Sequence, residues 1–191
     1  MGIISPVGST LESAWRSILE GRSGIGAIDR LDVSKFSTRI GGAVKDFDAG
    51  DYLAPREQRR IDALMHYGIA AAKQAIGDAA LEVTEGNAHR CGVAMGSGIG
   101  GLETIEANYR GFLEPGESPR KISPFFIPGS IINMISGHVS IAYGMTGPNL
   151  SLVTAFTTAT HNIGIGARAI AYGDADVMVA GGAEMATTVL G

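Results

Sequence analysis

The chain reads as an α/β protein with a mostly parallel sheet, and three features predict this. Residues 91–95 and 177–180 are apolar runs of strand length, each followed by glycine. Helical periodicity fills the intervals, most clearly at Ile61, Leu64, Met65, Ile69, Ala72 and Ile76. Strands and helices alternate, and parallel strands need such crossover helices.

At 191 residues, with 45% hydrophobic and 18% charged side chains, the chain can fill one core or part of a larger one. Its 28 glycines are about twice the usual share. They are spread among apolar runs, which points to tight turns and close backbone packing. A formal charge of −4 argues against nonspecific nucleic-acid binding, which needs a net basic face. The single cysteine, Cys91, excludes an internal disulfide framework and a cysteine-based metal cluster. His66, His89, His138 and His161 lack metal-ligand spacing, so neither metal nor cofactor is expected. No stretch approaches the roughly 20 apolar residues that cross a bilayer. No signal pattern opens the chain, and Pro6 stands where a myristoylation signal needs Ser or Thr. A soluble, cytoplasmic protein without membrane partners is the expectation.

Ser9-Thr10-Leu11-Glu12 predicts a capping box, followed by a helix with Leu11, Trp15, Ile18 and Leu19 on one face and Gly21 as its stop. Residues 22–54 read as turns and short strands. A second helix is predicted over 57–80. After the strand at 91–95 comes Gly96-Ser97-Gly98-Ile99-Gly100-Gly101, then a helix carrying Leu102, Ile105 and Tyr109. The Pro- and Gly-rich stretch 111–130 predicts a long loop that includes Phe125 and Phe126. Residues 131–143 predict a further helix, and 158–172 another that ends at Gly173.

Residues 148–161 predict a strand, a sharp turn and a helix, with Phe156 at the apex of the turn. A helix N-terminus offers free N–H groups and partial positive charge, which stabilise a thiolate or a developing oxyanion. Phenylalanine can use neither. The architecture is that of a catalytic turn, and the apex residue is not catalytic.

Other constellations have plainer readings beside the functional ones. The glycine motif at 96–101 fits a dinucleotide fingerprint, yet a Pro/Gly loop stands where the second strand and its acidic residue belong. Close backbone packing beside a pocket is the preferred reading. Arg56, Arg59 and Arg60 form a solvated basic face or a docking patch for an acidic partner. Cys91 reads as a small core residue, and His161 as a packed or capping histidine. Asp174, Asp176 and Glu184 flank the last strand, where they can form a carboxylate pair or serve in turns and salt bridges.

Taken together, the segments resemble the N-terminal half of a β-ketoacyl-[acyl carrier protein] synthase, closest to the long-chain II type of bacterial fatty acid synthesis. The motifs that carry the resemblance are Ile4-Ser5-Pro6-Val7-Gly8, Gly96-Ser97-Gly98-Ile99-Gly100-Gly101, Ile122-Ser123-Pro124-Phe125-Phe126-Ile127-Pro128 and Val153-Thr154-Ala155-Phe156-Thr157-Thr158. His161-Asn162-Ile163-Gly164 and the run from Ile170 to Glu184 complete a match over all 191 residues. The resemblance implies a thiolase-like fold, layered helix-sheet-helix-sheet-helix in the whole family, with residues 1–191 as its N-terminal half and the C-terminal half absent. It also implies a homodimer and an acyl carrier protein as partner. In the family a cysteine takes the acyl chain, malonyl-carrier protein loses CO2, and the carbanion attacks the thioester with help from two C-terminal histidines.

Carried over, the nucleophile position is Phe156, with its backbone N–H in the oxyanion hole. Gly98, Ile99 and Ala155 line the acyl site, Phe126 reaches the partner subunit's pocket, and Arg56, Arg59 and Arg60 face the carrier protein. The departures are the missing cysteine, the missing C-terminal histidines and the missing first strand. They imply that this chain itself does not condense acyl groups, and that the benzyl group fills the space of the first acyl carbons. They also imply an uncovered apolar helix layer and sheet edge. An altered piece of a condensing synthase is the favoured reading. A non-catalytic, chain-length-setting partner subunit is the alternative, and a nucleotide-binding oxidoreductase is the third.

Overall fold

The computed structural model describes residues 1–114 and 116–191. Helix α1 spans Leu11–Leu19, capped by Thr10, which accepts from the Ser13 N–H, while the Ser13 hydroxyl oxygen accepts from the Thr10 N–H. The capping box thus uses Thr10 and Ser13, one residue beyond the expected Ser9 and Glu12. Glu12 instead pairs with Arg16 one turn on, at 2.6 Å. The predicted apolar face exists but is uncovered: Trp15, Ile18 and Leu19 are exposed, and Ala14 is buried. The expected short strands are a two-residue antiparallel pair, β1 (Gly26–Ala27) and β2 (Ile40–Gly41).

The helix predicted over 57–80 is two elements, α2 (Pro55–Gln58) and α3 (Ala63–Asp78). Asp62 causes the break. Its buried carboxylate accepts from the Leu64 N–H (3.1 Å), capping α3, and from the Thr104 N–H (2.9 Å) in the first turn of the next helix. One side chain therefore sets two helix starts, a role that its position inside a periodic run conceals.

Strand β3 (Cys91–Gly96) is buried along its whole length, and α4 (Leu102–Leu113) follows it. Part of the stretch predicted as loop is therefore helical: α4 runs to Leu113, and Phe126–Ser130 forms α5. Helix α6 starts at Met134, later than predicted, and ends at Tyr143, where Gly144 takes the left-handed cap conformation (φ +66). Strand β4 is only Asn149–Leu150, helix α7 spans Thr158–Ala171, and β5 spans Val177–Gly182.

The sheet order is β4-β3-β5, all parallel, with Cys91 opposite Val177 and Gly96 opposite Gly182. Alternation divides the faces. Cys91, Val93, Met95, Val177 and Val179 pack with Leu64, Met65 and Ile69 of α3 and Ile135 and Val139 of α6. On the other face α7 lies close to the strands. A Cβ at Gly166 would meet Ala180 and Met178 at 3.1 and 3.4 Å, so glycine there permits the approach. The result is a helix-sheet-helix arrangement around one central buried strand. The outer side of α7 exposes Ile163 and Ile170, and β5 forms a free sheet edge.

Candidate active-site cavity

Parallel α/β sheets bind ligands at the carboxyl ends of their strands, where successive loops diverge. Here the ends of β3 and β5 and the turn after β4 meet around a cavity of about 420 Å³. Its wall is mostly small and apolar. Gly96 to Ile99 come from the loop after β3, Ala155 and Phe156 from the turn, and Thr158 and Ala159 from the first turn of α7. Gly182 to Glu184 and Ala186 come from the end of β5. Glu184 is the one charged side chain among the described lining residues.

The turn is built from hydroxyls. The Thr157 hydroxyl donates to the Thr154 carbonyl (2.7 Å), and the Thr154 N–H donates to the Thr158 hydroxyl (2.9 Å). Asn162, wholly buried in α7, bonds back to the Thr158 carbonyl (2.9 Å) and across to the main chain of Leu152. Ala155 pays for the tightness with a left-handed backbone (φ +52), uncommon for a residue with a Cβ. Residues 155–157 then form one 3₁₀ turn that leads into α7. No side chain caps α7 at Thr157; the Thr157 N–H donates to the Thr154 carbonyl (3.2 Å) and the Thr158 N–H to the Ala155 carbonyl, so the 3₁₀ turn runs directly into α7.

Phe156 stands at the cavity mouth, as the turn predicts, but its ring projects into solvent with 105% relative exposure. In this chain the benzyl group rims the cavity and does not fill it. His161 is exposed, and its Nδ1 lies 2.6 Å from the Thr154 hydroxyl, so it serves the turn.

The glycine loop is occupied from within. The Glu184 carboxylate accepts from the Gly98 N–H (2.8 Å), the Ile99 N–H (3.0 Å) and the Ser97 hydroxyl (2.9 Å). The Ser97 oxygen accepts in turn from the Gly100 N–H (2.9 Å). A pyrophosphate needs those amides free, and a carboxylate in their midst repels it. The dinucleotide reading fails on this geometry.

The structure brings Gly98, Ile99, Ala155 and Phe156 together. It does not bring Phe126 to the same place. That ring sits with Ile105, Tyr109, Phe112 and Ile122 along a separate apolar groove of about 320 Å³. Arg56 and Arg59 are exposed, and Arg60 lies over the Phe125 ring at 4.4 Å. The three acidic residues near β5 form no carboxylate pair. Asp176 bonds to Arg90 at 2.6 Å, which holds its carboxyl below the usual range, and Glu184 faces the glycine loop. Cys91 is buried, and burial pushes its thiol up, away from nucleophilic use. The roles of Asp62, Ser97, Asn162 and Glu184 were not foreseen. The signals were an acidic residue ahead of an apolar helix and an asparagine within one, both weak by themselves.

Among the described residues, no helix is long and apolar enough to cross a membrane. The chain is 56% identical over all 191 residues to 3-oxoacyl-[acyl-carrier-protein] synthase 2 of Vibrio harveyi, covering 46% of that protein. It spans less than half the length of the curated relatives it matches. Two solved structures at 24% identity share the fold. One is the complex of a type II PKS acyl-carrier protein with its ketosynthase bound to the hexaketide (TM-score 0.81, 99% of this chain and 50% of that one). The other is the ishigamide ketosynthase/chain length factor (TM-score 0.80, 97% of this chain and 46% of that one). The thiolase-like architecture expected from the motifs is therefore present. The model of the β-ketoacyl synthase N-terminal domain matches residues 1–191, and the chain belongs to that family.

Proposed function

We propose that the protein carrying this chain is a β-ketoacyl-[acyl carrier protein] synthase of fatty acid biosynthesis in architecture, with its nucleophile position closed to chemistry. The observation that carries this is the place of residue 156. It stands at the mouth of an apolar cavity, on a strained turn, just ahead of the N-terminus of α7. A thiolate there would attack the carbonyl of an acyl-carrier thioester, expelling the carrier's thiolate and leaving the acyl group on residue 156. Malonyl-carrier protein would lose CO2, and its carbanion would attack that thioester. The new C–C bond gives a 3-oxoacyl-carrier product and returns the thiolate. The N–H of residue 156 would donate to the oxyanion in both attacks. Phe156 has no acidic proton and no lone pair, so the first step has no nucleophile.

Gly98, Ile99 and Ala155 would line the acyl chain's path. Arg56 and Arg59, exposed, with Arg60 beside them, would meet the acidic carrier protein. Phe126 and its apolar groove would belong to the homodimer contact, in a cytoplasmic enzyme. The test is a condensation assay on the full protein with acyl- and malonyl-carrier proteins. The parent should give no 3-oxoacyl product, and Phe156→Cys should give it. A parent that condenses, or a variant that accepts an acyl group but forms no product, overturns this reading. The lack of a nucleophilic side chain at residue 156 also favours a non-catalytic, chain-length-setting subunit. Co-purification with an active synthase in place of self-association would select that second reading.

A further inference from the structure

Glu184 has no part in the chemistry just described, yet it makes more polar contacts than any other described group of the cavity. Its Oε2 accepts from two successive backbone amides, Gly98 and Ile99, and its Oε1 from the buried Ser97 hydroxyl. Hydrogen bonds to an ionised acceptor are roughly twice as strong as neutral ones. The loop they hold is wedged. A Cβ on Gly98 would lie 2.9 Å from Glu184 Oε2 and 3.1 Å from the Ala155 carbonyl oxygen, so the Gly98 backbone is clamped between the carboxylate and the strained turn. Ile99, next in the chain, presents its side chain at the cavity wall.

We propose that Glu184 is a positioning residue that latches the Ser97–Gly100 loop and thereby fixes the depth at which Ile99 meets an acyl chain. The latch rests on hydrogen-bond geometry. Its consequence for acyl length rests on the reading of the cavity given above.

The experiment compares the parent, Glu184→Gln and Glu184→Ala in the full protein carrying this chain. Amide hydrogen exchange is followed by NMR, and affinity is measured for straight-chain fatty acids from hexanoate to palmitate. Glu184→Ala should speed exchange at Gly98 and Ile99 by roughly 10- to 100-fold, the range for losing charge-assisted hydrogen bonds, while β3 keeps its protection. It should also flatten the dependence of affinity on chain length. Glu184→Gln keeps one oxygen for the two amides and should restore most of both properties. Unchanged exchange in Glu184→Ala overturns the latch, as does acceleration spread evenly over the sheet. Equal behaviour of the Gln and Ala variants also overturns it. Binding of no fatty acid by the parent removes the acyl reading and the length-setting role with it, and the exchange comparison then decides the latch by itself.

Discussion

Asn162 holds the main chain of Leu152 as a neighbouring strand would. Its Oδ1 accepts from the Leu152 N–H at 3.0 Å, and its Nδ2 donates to the Leu152 carbonyl at 3.2 Å. Strand β4 ends two residues earlier, so this amide replaces the missing ladder and carries the chain into the turn at residue 156. Asn162→Leu leaves both backbone groups unpaired and should destabilise the protein by about 2–3 kcal/mol. The midpoint of urea unfolding measures it.

The turn itself stores strain at Ala155, where φ is +52. Glycine adopts that conformation without a Cβ clash, at the expense of a freer unfolded chain. Ala155→Gly should therefore raise stability by up to about 1 kcal/mol. A fall in the urea midpoint would mean that the Ala155 side chain packs better than its backbone is strained.

Thiol chemistry separates the two candidate positions. Cys91 is buried in β3 with its thiol pushed up by burial, whereas residue 156 is fully exposed at a helix N-terminus. The native parent should resist iodoacetamide. Phe156→Cys should take up one equivalent at residue 156, at a rate at least about 100-fold above that of Cys91. Peptide mapping of the alkylated protein reads both sites.

Mild acid should weaken the fold through two half-buried histidines. Burial holds His66 and His138 below the ordinary histidine value, against a smaller upward pull from the Gln58 carbonyl on His66 and from Glu57 on His138. The unfolded chain then binds the protons more readily. Stability is full above about pH 6.5 and declines as pH falls through the depressed native values. The His138 Nε2 is buried without a partner among the described residues, so His138→Leu should flatten this decline. Melting temperatures between pH 7.5 and 5.5 check the direction.

Much of this was legible in the sequence because local and global signals agree. The run Cys91-Gly92-Val93-Ala94-Met95 is apolar on both faces, as a strand buried on both faces requires, and it is the central strand. The turn at 155–157 followed from the switch between an extended apolar run and small hydroxylated residues. Helix boundaries failed where a long-range contact sets them. Asp62 starts two helices through one carboxylate, and periodicity carries no trace of that. Glu184 looked like a strand-end acid because its partners lie 85 to 87 residues away in sequence. The apolar face of α1 obeys the helical pattern, yet Trp15 and Ile18 stay exposed, as does Ile163 of α7.

The most direct test of the account is the intact mass of the full protein after incubation with acyl-loaded carrier protein. The parent should gain no mass. Phe156→Cys should gain one acyl group, mapped to residue 156. An acyl adduct on the parent, or none on a variant whose residue 156 still alkylates, would contradict the claim that this turn is the seat of acyl transfer.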